Sequence, residues 1–263
     1  MLDATITLTT DFGEESPYVA AMKGVILSIN ANARLLDLSH QIPPQDVRYT
    51  AFFLAAALPY FAREVIHLIV VDPGVGTERA LLYVEANGHR LLVPDNGCWT
   101  ELLRGATREP RVIRLAEPHY WRAEVSHTFH GRDILAPVAG HLSLGLEPEV
   151  LGPRIQKWVS LDLPIARAGA NSLIGEVIFV DHFGNLITNI PAEKLRSRPE
   201  VLIIGKTSRR RFHWGCSYAE ADPGTIVVLI SSGGTLEVAV NQGNAARKLR
   251  AKVGTSVQIR WKR

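Results

Sequence analysis

Apolar residues recur along the first half of the chain with two alternating periods. Residues 5–9 form a short β-rich run that stops at Thr10-Asp11-Phe12-Gly13. Val19, Met22, Val25, Ile26 and Ile29 then return at helical spacing, predicting a helix over 16–30 with Pro17 in its first turn. A strand is expected at 35–38 and an Ala-rich helix at 46–58, where Asp46 suits the positive end of the dipole. The apolar run 65–71 reads as a buried strand. Runs 81–85 and 90–93 flank Asn87-Gly88, a hairpin signal. A helix near 100–104, a strand at 111–115 and a helix at 133–144 complete this half. Alternating strands and helices predict an α/β N-terminal domain, its central sheet mixed because of the hairpin and flanked by helices.

After residue 151 the pattern changes. Residues 152–170 hold Pro153, Pro164 and Gly169 with little periodicity, and read as a linker. Strands are expected at 173–180, 186–190, 201–204, 225–230, 235–240 and 256–261, with helices only at 191–196 and 244–249. The chain therefore divides into an α/β domain over 1–151, a linker over 152–170 and a smaller, mostly-β domain over 171–263.

Composition adds bounds rather than a function. A 46% hydrophobic and 21% charged chain of 263 residues builds a sizeable core. The net charge of +3 does not require nucleic acid. Cys98 and Cys216 lack metal-ligand spacing, so neither a disulfide framework nor a zinc site is implied. No window has the ~18–20 apolar residues of a membrane helix. The start Met1-Leu2-Asp3-Ala4 is neither basic nor apolar, so no signal peptide is expected. The expectation is a cytoplasmic protein that binds neither membrane nor nucleic acid.

Candidate chemistry gathers in a few polar clusters. In Val71-Asp72-Pro73-Gly74-Val75-Gly76-Thr77-Glu78-Arg79 a carboxylate stands where a buried strand stops, and an arginine follows seven positions later. In open α/β sheets ligands bind at such strand ends. Asp11 ends the first strand and suits either two ribose hydroxyls or a helix-capping turn. Ser126-His127-Thr128-Phe129-His130-Gly131-Arg132-Asp133 offers two histidines for proton work or for structure, with Asp133 expected as an N-cap. Asp181-His182-Phe183-Gly184-Asn185 supplies an acid, a ring and an amide, or simply a hairpin turn. Ser231-Ser232-Gly233-Gly234, Asn241-Gln242-Gly243-Asn244-Ala245-Ala246 and Pro94-Asp95-Asn96-Gly97 are small-residue loops of weak individual value. The run Lys206-Thr207-Ser208-Arg209-Arg210-Arg211 suits an anion or a solvated loop.

Five of these motifs in fixed order span nearly the whole chain: Thr-Thr-Asp-Phe-Gly, Val-Asp-Pro-Gly-Val-Gly with its arginine, Thr-Phe-His-Gly-Arg-Asp, Asp-His-Phe-Gly-Asn with Thr188-Asn189, and Asn-Gln-Gly-Asn-Ala-Ala. Together they resemble the S-adenosyl-L-methionine (SAM) hydrolases that form adenosine, also called SAM hydroxide adenosyltransferases, relatives of the bacterial fluorinase and chlorinase. The resemblance implies a homotrimer whose sites lie between the N-terminal domain of one subunit and the C-terminal domain of its neighbour. It implies that Asp11 holds the ribose hydroxyls and that Asp181 and Ser232 take the methionine ammonium and carboxylate. Phe183, Asn185 and the Ala245 backbone would line the adenine pocket, while Asp72, Arg79 and His130 match the family's water-handling triad.

The implied reaction is attack by water or incipient hydroxide on the ribose 5′-carbon, with methionine leaving from a sulfonium. That leaving group needs no protonation, so catalysis reduces to placing the oxygen and managing its proton. No metal and no cofactor are expected. An arginine beside a carboxylate weakens it as a base, so positioning is the role expected of Asp72 and Arg79. The fluorinase carries serine at the Gly131 position and tyrosine at the Asp72 position; the chlorinase shares the glycine but keeps the tyrosine. A carboxylate at Asp72 repels halide, which favours hydrolysis over halogenation. A SAM- or adenosine-binding regulatory module without turnover is the alternative from another class.

Overall fold

A computed structural model describes residues 4–209 and 211–262. Residues 1–3, Arg210 of the basic run and Arg263 lie outside the described residues. The chain forms two compact units, Met1–Leu161 and Asp162–Arg263.

The N-terminal unit contains β1 (Thr5–Thr10), α1 (Tyr18–Ile29), β2 (Arg34–Ser39), α2 (Val47–Ala57), β3 (Ile66–Val70), β4 (Leu81–Ala86), β5 (His89–Pro94), β6 (Arg111–Arg114) and α3 (Ala136–Ser143). Its sheet runs β2-β1-β3-β5-β4-β6. The first four neighbours are parallel, whereas β4 is antiparallel to β5 and β6. Side-chain parity places a core on each face. Ile66, Leu68 and Val70 of β3 pack with Met22 and Ile26 of α1 and Val138, Ala139 and Leu142 of α3. Ile69 instead joins Leu54 of α2 and the fully enclosed Trp99. Each such enclosed side chain stabilises the fold by roughly 1.5–3 kcal/mol. Because the chain leaves β1 for β2 on one side and returns to β3 on the other, the β1/β3 pair is the topological switch point. Thr10 and Val70 are register partners there, so the chain after each emerges at the crevice where α/β sheets bind ligands.

Local chemistry explains the helix ends. The Asp46 carboxylate accepts the Tyr49 amide at 2.8 Å and caps α2, while Pro17 occupies the cap position of α1. The helix expected from residue 133 starts earlier, as a π turn over Gly131–Leu135 that continues into α3. The segment expected near 100–104 is a single 3-10 turn, Thr100–Leu103. The stretch 152–170, expected as a linker, is largely docked. Ile155 donates to the Val112 carbonyl at 2.9 Å, Trp158 packs on Trp99, and Val159 and Leu161 donate to Asp95 and Thr100 side chains. Prolines erased its periodicity, but its amides still found partners.

The C-terminal unit contains β7 (Arg167–Gly169), β8 (Ser172–Val180), β9 (Leu186–Pro191), β10 (Val201–Ile204), β11 (Thr207–Arg209), β12 (His213–Trp214), β13 (Ile226–Ile230), β14 (Thr235–Val240), α4 (Ala245–Leu249) and β15 (Ser256–Arg260). Its strands follow the order β11-β10-β15-β8-β9-β14-β13-β12, with β7 also on β8. β8 pairs with β15 through Glu176 and with β9 from Val177 onward, so its two halves serve both wings of one core. The helix expected over 191–196 is only a 3-10 turn at Ala192–Lys194, because β9 continues through Pro191. Part of the basic run pairs as β11 with β10 rather than looping free. Among the described residues no helix is long and apolar enough to cross a membrane.

Candidate active site

β3 delivers Asp72 to the switch-point crevice. Beyond Val70 the Asn96 amide donates to the Val71 carbonyl at 2.8 Å, fixing the exit. The Val75 amide closes a turn on the Asp72 carbonyl at 3.2 Å, and the Thr77 amide and hydroxyl both donate to the Gly74 carbonyl. Gly76 has φ +80°, and a Cβ there would sit 2.6 Å from the His127 carbonyl oxygen. Glycine is thus required twice over, by backbone hand and by the neighbouring loop. The turn brings Arg79 back onto Asp72. Its Nε lies 3.0 and 2.9 Å from the two carboxylate oxygens, and Nη2 also donates to Oδ2. The Asp72 and Arg79 side chains are 7% and 11% exposed. Removing one partner of so enclosed a pair typically costs about 3–5 kcal/mol.

The same Arg79 Nη2 lies 2.9 Å from His130 Nδ1. A guanidinium only donates, so Nδ1 accepts and the neutral ring carries its proton on Nε2. Burial pushes His130 below the usual imidazole range; Arg79 and His127 add to this, while Asp72 and Asp133 oppose it. His130 is therefore neutral at pH 7. The resulting chain, carboxylate to guanidinium to imidazole, ends in an N–H that can hold an oxygen atom. Both Asp72 oxygens already accept from Arg79, which suits orientation better than proton abstraction.

The first motif meets the third through aromatic edges. Phe12, Tyr18 and Phe129 pack edge-to-face, with ring centroids 5.2–5.7 Å apart. Asp11 accepts the Gln45 amide at 2.7 Å through one oxygen, and Thr10 bonds the His40 ring at 2.9 Å. Gly131 faces the core: a Cβ there would lie 3.0 Å from Val70 Cγ1, so any larger residue requires the Val70 side chain to give way. Asp133 corrects the expected N-cap. It lies inside the π turn, wholly buried, and pairs with Arg122 and Arg132.

In the C-terminal unit, Asp181 and Asn185 bracket the turn between β8 and β9. Asp181 accepts the Asn185 backbone amide at 2.8 Å and its side-chain amide at 2.9 Å. Part of the polar capacity read as ligand-binding thus holds the turn itself. Phe183 projects from it, 73% exposed. The Ala246 amide donates to the Gly184 carbonyl at 2.9 Å, tying the fourth motif to the fifth, in which Ala245 is buried. Ser232 is exposed on the turn between β13 and β14. Sequence reasoning missed Glu237, 3% exposed on β14, which accepts the Tyr218 hydroxyl at 2.7 Å. Burial, assisted by Asp181, raises Glu237 above the usual carboxylate range, and Tyr218 is pushed up to about 12. Its signal was a lone acid within the apolar alternation of 235–240. Among the described residues no group of three or more His, Cys, Asp or Glu side chains is arranged to hold a metal ion.

Residues 6–152 match the SAM hydroxide adenosyltransferase N-terminal domain, and residues 175–258 match the C-terminal domain of the same family. A protein of Salinispora tropica named (R)-S-adenosyl-L-methionine hydrolase is 37% identical over 97% of both chains. One of the same name from Thermus thermophilus is 39% identical, covering 95% of this chain and 97% of its own. Fluorinase of Nocardia brasiliensis is more distant, at 25%. A crystal structure described as an uncharacterized conserved protein from Thermotoga maritima superposes with a TM-score of 0.91 at 33% identity, covering 97% of this chain and 99% of that one. With both of its halves matched, in order and over most of their length, the chain belongs to the SAM hydroxide adenosyltransferase family.

Proposed function

We propose that this protein hydrolyses S-adenosyl-L-methionine to adenosine and L-methionine, with the (R)-sulfonium epimer in the relatives' names as its substrate. Water adds to the ribose 5′-carbon as the carbon–sulfur bond breaks; the bonding pair leaves on sulfur and one proton is released. The observation that carries this reading is the Asp72–Arg79–His130 chain at the switch point, which ends in a donor fit to hold the attacking oxygen. Its contribution is orientation, which turns an encounter into a near-attack geometry.

Around it, Asp11 takes the ribose hydroxyls, Asp181 and Ser232 the ammonium and carboxylate, and Phe183, Asn185 and the Ala245 backbone the adenine. Gly131 lets the chain pass close to Val70 beside the reacting carbon. A homotrimer, completing each site from neighbouring protomers, belongs to the same proposal, as does a reaction that needs neither metal nor cofactor. The competing reading, a binding module without turnover, draws on the engagement of both Asp72 oxygens by Arg79.

The test is incubation of each SAM epimer, with chelator and with chloride, followed by chromatography. Adenosine and methionine in equal amounts, faster from the (R) epimer and indifferent to chelator, are expected. Unchanged substrate after hours of incubation supports the binding module, and a 5′-chloro product supports halogenation.

A further inference from the structure

Asp133 is 0% exposed and stands third in the π turn that directly follows His130. Such turns are rare and concentrate at functional sites. Its carboxylate accepts four hydrogen bonds: Ser126 N at 2.9 Å, Arg132 Nε at 2.6 Å, Arg132 Nη2 at 2.7 Å and Arg122 Nη1 at 3.0 Å. Its own carbonyl accepts the Arg122 amide at 2.9 Å, and its amide donates to the Phe129 carbonyl at 3.1 Å. These bonds tie both ends of the 126–130 loop to one residue. The middle of that loop presents the His127 carbonyl to Gly76, the contact that seats it on the Asp72 turn.

We infer that Asp133 is a positioning residue for the hydrolytic site: by closing the 126–130 loop on itself, it holds His130 Nδ1 against Arg79 Nη2. Loss of the carboxylate's charge leaves two guanidiniums facing one another without their shared partner. The loop end at Ser126 then loosens, and His130 drifts from Arg79 while the rest of the fold remains packed. The charged and titratable groups facing His130 are Arg79, His127, Asp72 and Asp133, of which the two acids favour its protonation. Once His130 leaves Arg79, whose charge opposes its protonation more strongly than Asp133 favours it, the ring protonates more readily and the acid limb of the kcat profile moves to higher pH.

The inference rests on His130 orienting the attacking water, and the experiment separates the two. In Asp133→Asn, kcat should fall about ten-fold or more with the KM for SAM within about three-fold, the range seen when an outer hydrogen-bond partner is lost. The acid limb should shift up, and 15N spectra of the imidazole should show loss of the single Nε2–H tautomer. Arg122→Gln removes one donor from a partly exposed side chain and should move the same quantities less; it serves if Asp133→Asn does not fold. A folded Asp133→Asn enzyme with wild-type kcat and tautomer overturns the positioning role, as does an unchanged Arg122→Gln enzyme. If His130→Gln retains full kcat, the reading of His130 fails instead.

Discussion

The two polar turns of this protein are built from similar residues and solve opposite problems. At Asp72 the carboxylate, guanidinium and imidazole are enclosed and bonded in series, so the geometry exists before any ligand arrives. At Asp181 the carboxylate is tied to Asn185 while the aromatic Phe183 stands 73% in solvent. The first turn is preorganised, as a site that places a reacting atom must be. The second holds out apolar surface that gains free energy only when something covers it.

Breaking the first turn should have the largest effect. Asp72→Ala is expected to lower kcat by about a hundred- to ten-thousand-fold, with SAM affinity by calorimetry within several-fold. A loss of binding alone would mean that the turn recognises rather than positions.

A glycine in each turn bears on the same contrast. Gly76→Ala forces a left-handed residue against a fixed carbonyl and should cost about 2–4 kcal/mol in denaturant unfolding. Gly184, at φ +87°, meets the Asn244 side chain instead. That side chain caps α4 by accepting the Arg247 amide at 2.8 Å and cannot turn aside without losing the cap, so Gly184→Ala should cost as much, about 2–4 kcal/mol.

Acid should separate the units. Burial pushes His67, which bonds Thr7 at 2.8 Å, down to about 3. Its unfolded value is near 6.5, so the unfolded chain binds the extra proton between the two values. The N-terminal unit then loses about 1.4 kcal/mol per pH unit below pH 6.5. Glu237 in the C-terminal unit is raised, so its contribution is present at low pH and lost as pH climbs through its folded value. Hydrogen exchange between pH 7 and pH 5 should show protection falling in β3 and holding in β14; equal losses would contradict this assignment.

The smallest effect belongs to Phe183→Ala. Its melting temperature should barely move because the ring is exposed, while KM rises about ten-fold through lost base stacking.

Much of this contrast was legible in the chain. A strand-end acid, a glycine turn and an arginine seven residues on declare Asp72 and Arg79, because the backbone there admits few alternatives. Asn87-Gly88 likewise gave its hairpin, between β4 and β5. The π turn was not legible, since its partners Ser126 and Arg122 converge on Asp133 only after the loop has folded. The mutual pairing of Asp181 and Asn185 was hidden for the opposite reason: both residue types also suit a ligand. Strands as short as β7, β11 and β12 carry too few residues to show a period, and only their neighbours define them.

Water attack on the 5′-carbon is tested by a single incubation of the protein with SAM in oxygen-18 water, followed by mass analysis of the adenosine. Water held by Asp72, Arg79 and His130 and attacking the 5′-carbon predicts adenosine labelled at its 5′-oxygen, released with an equal amount of unlabelled methionine. Adenosine without the label, or a 5′-halogenated nucleoside in its place, would contradict it.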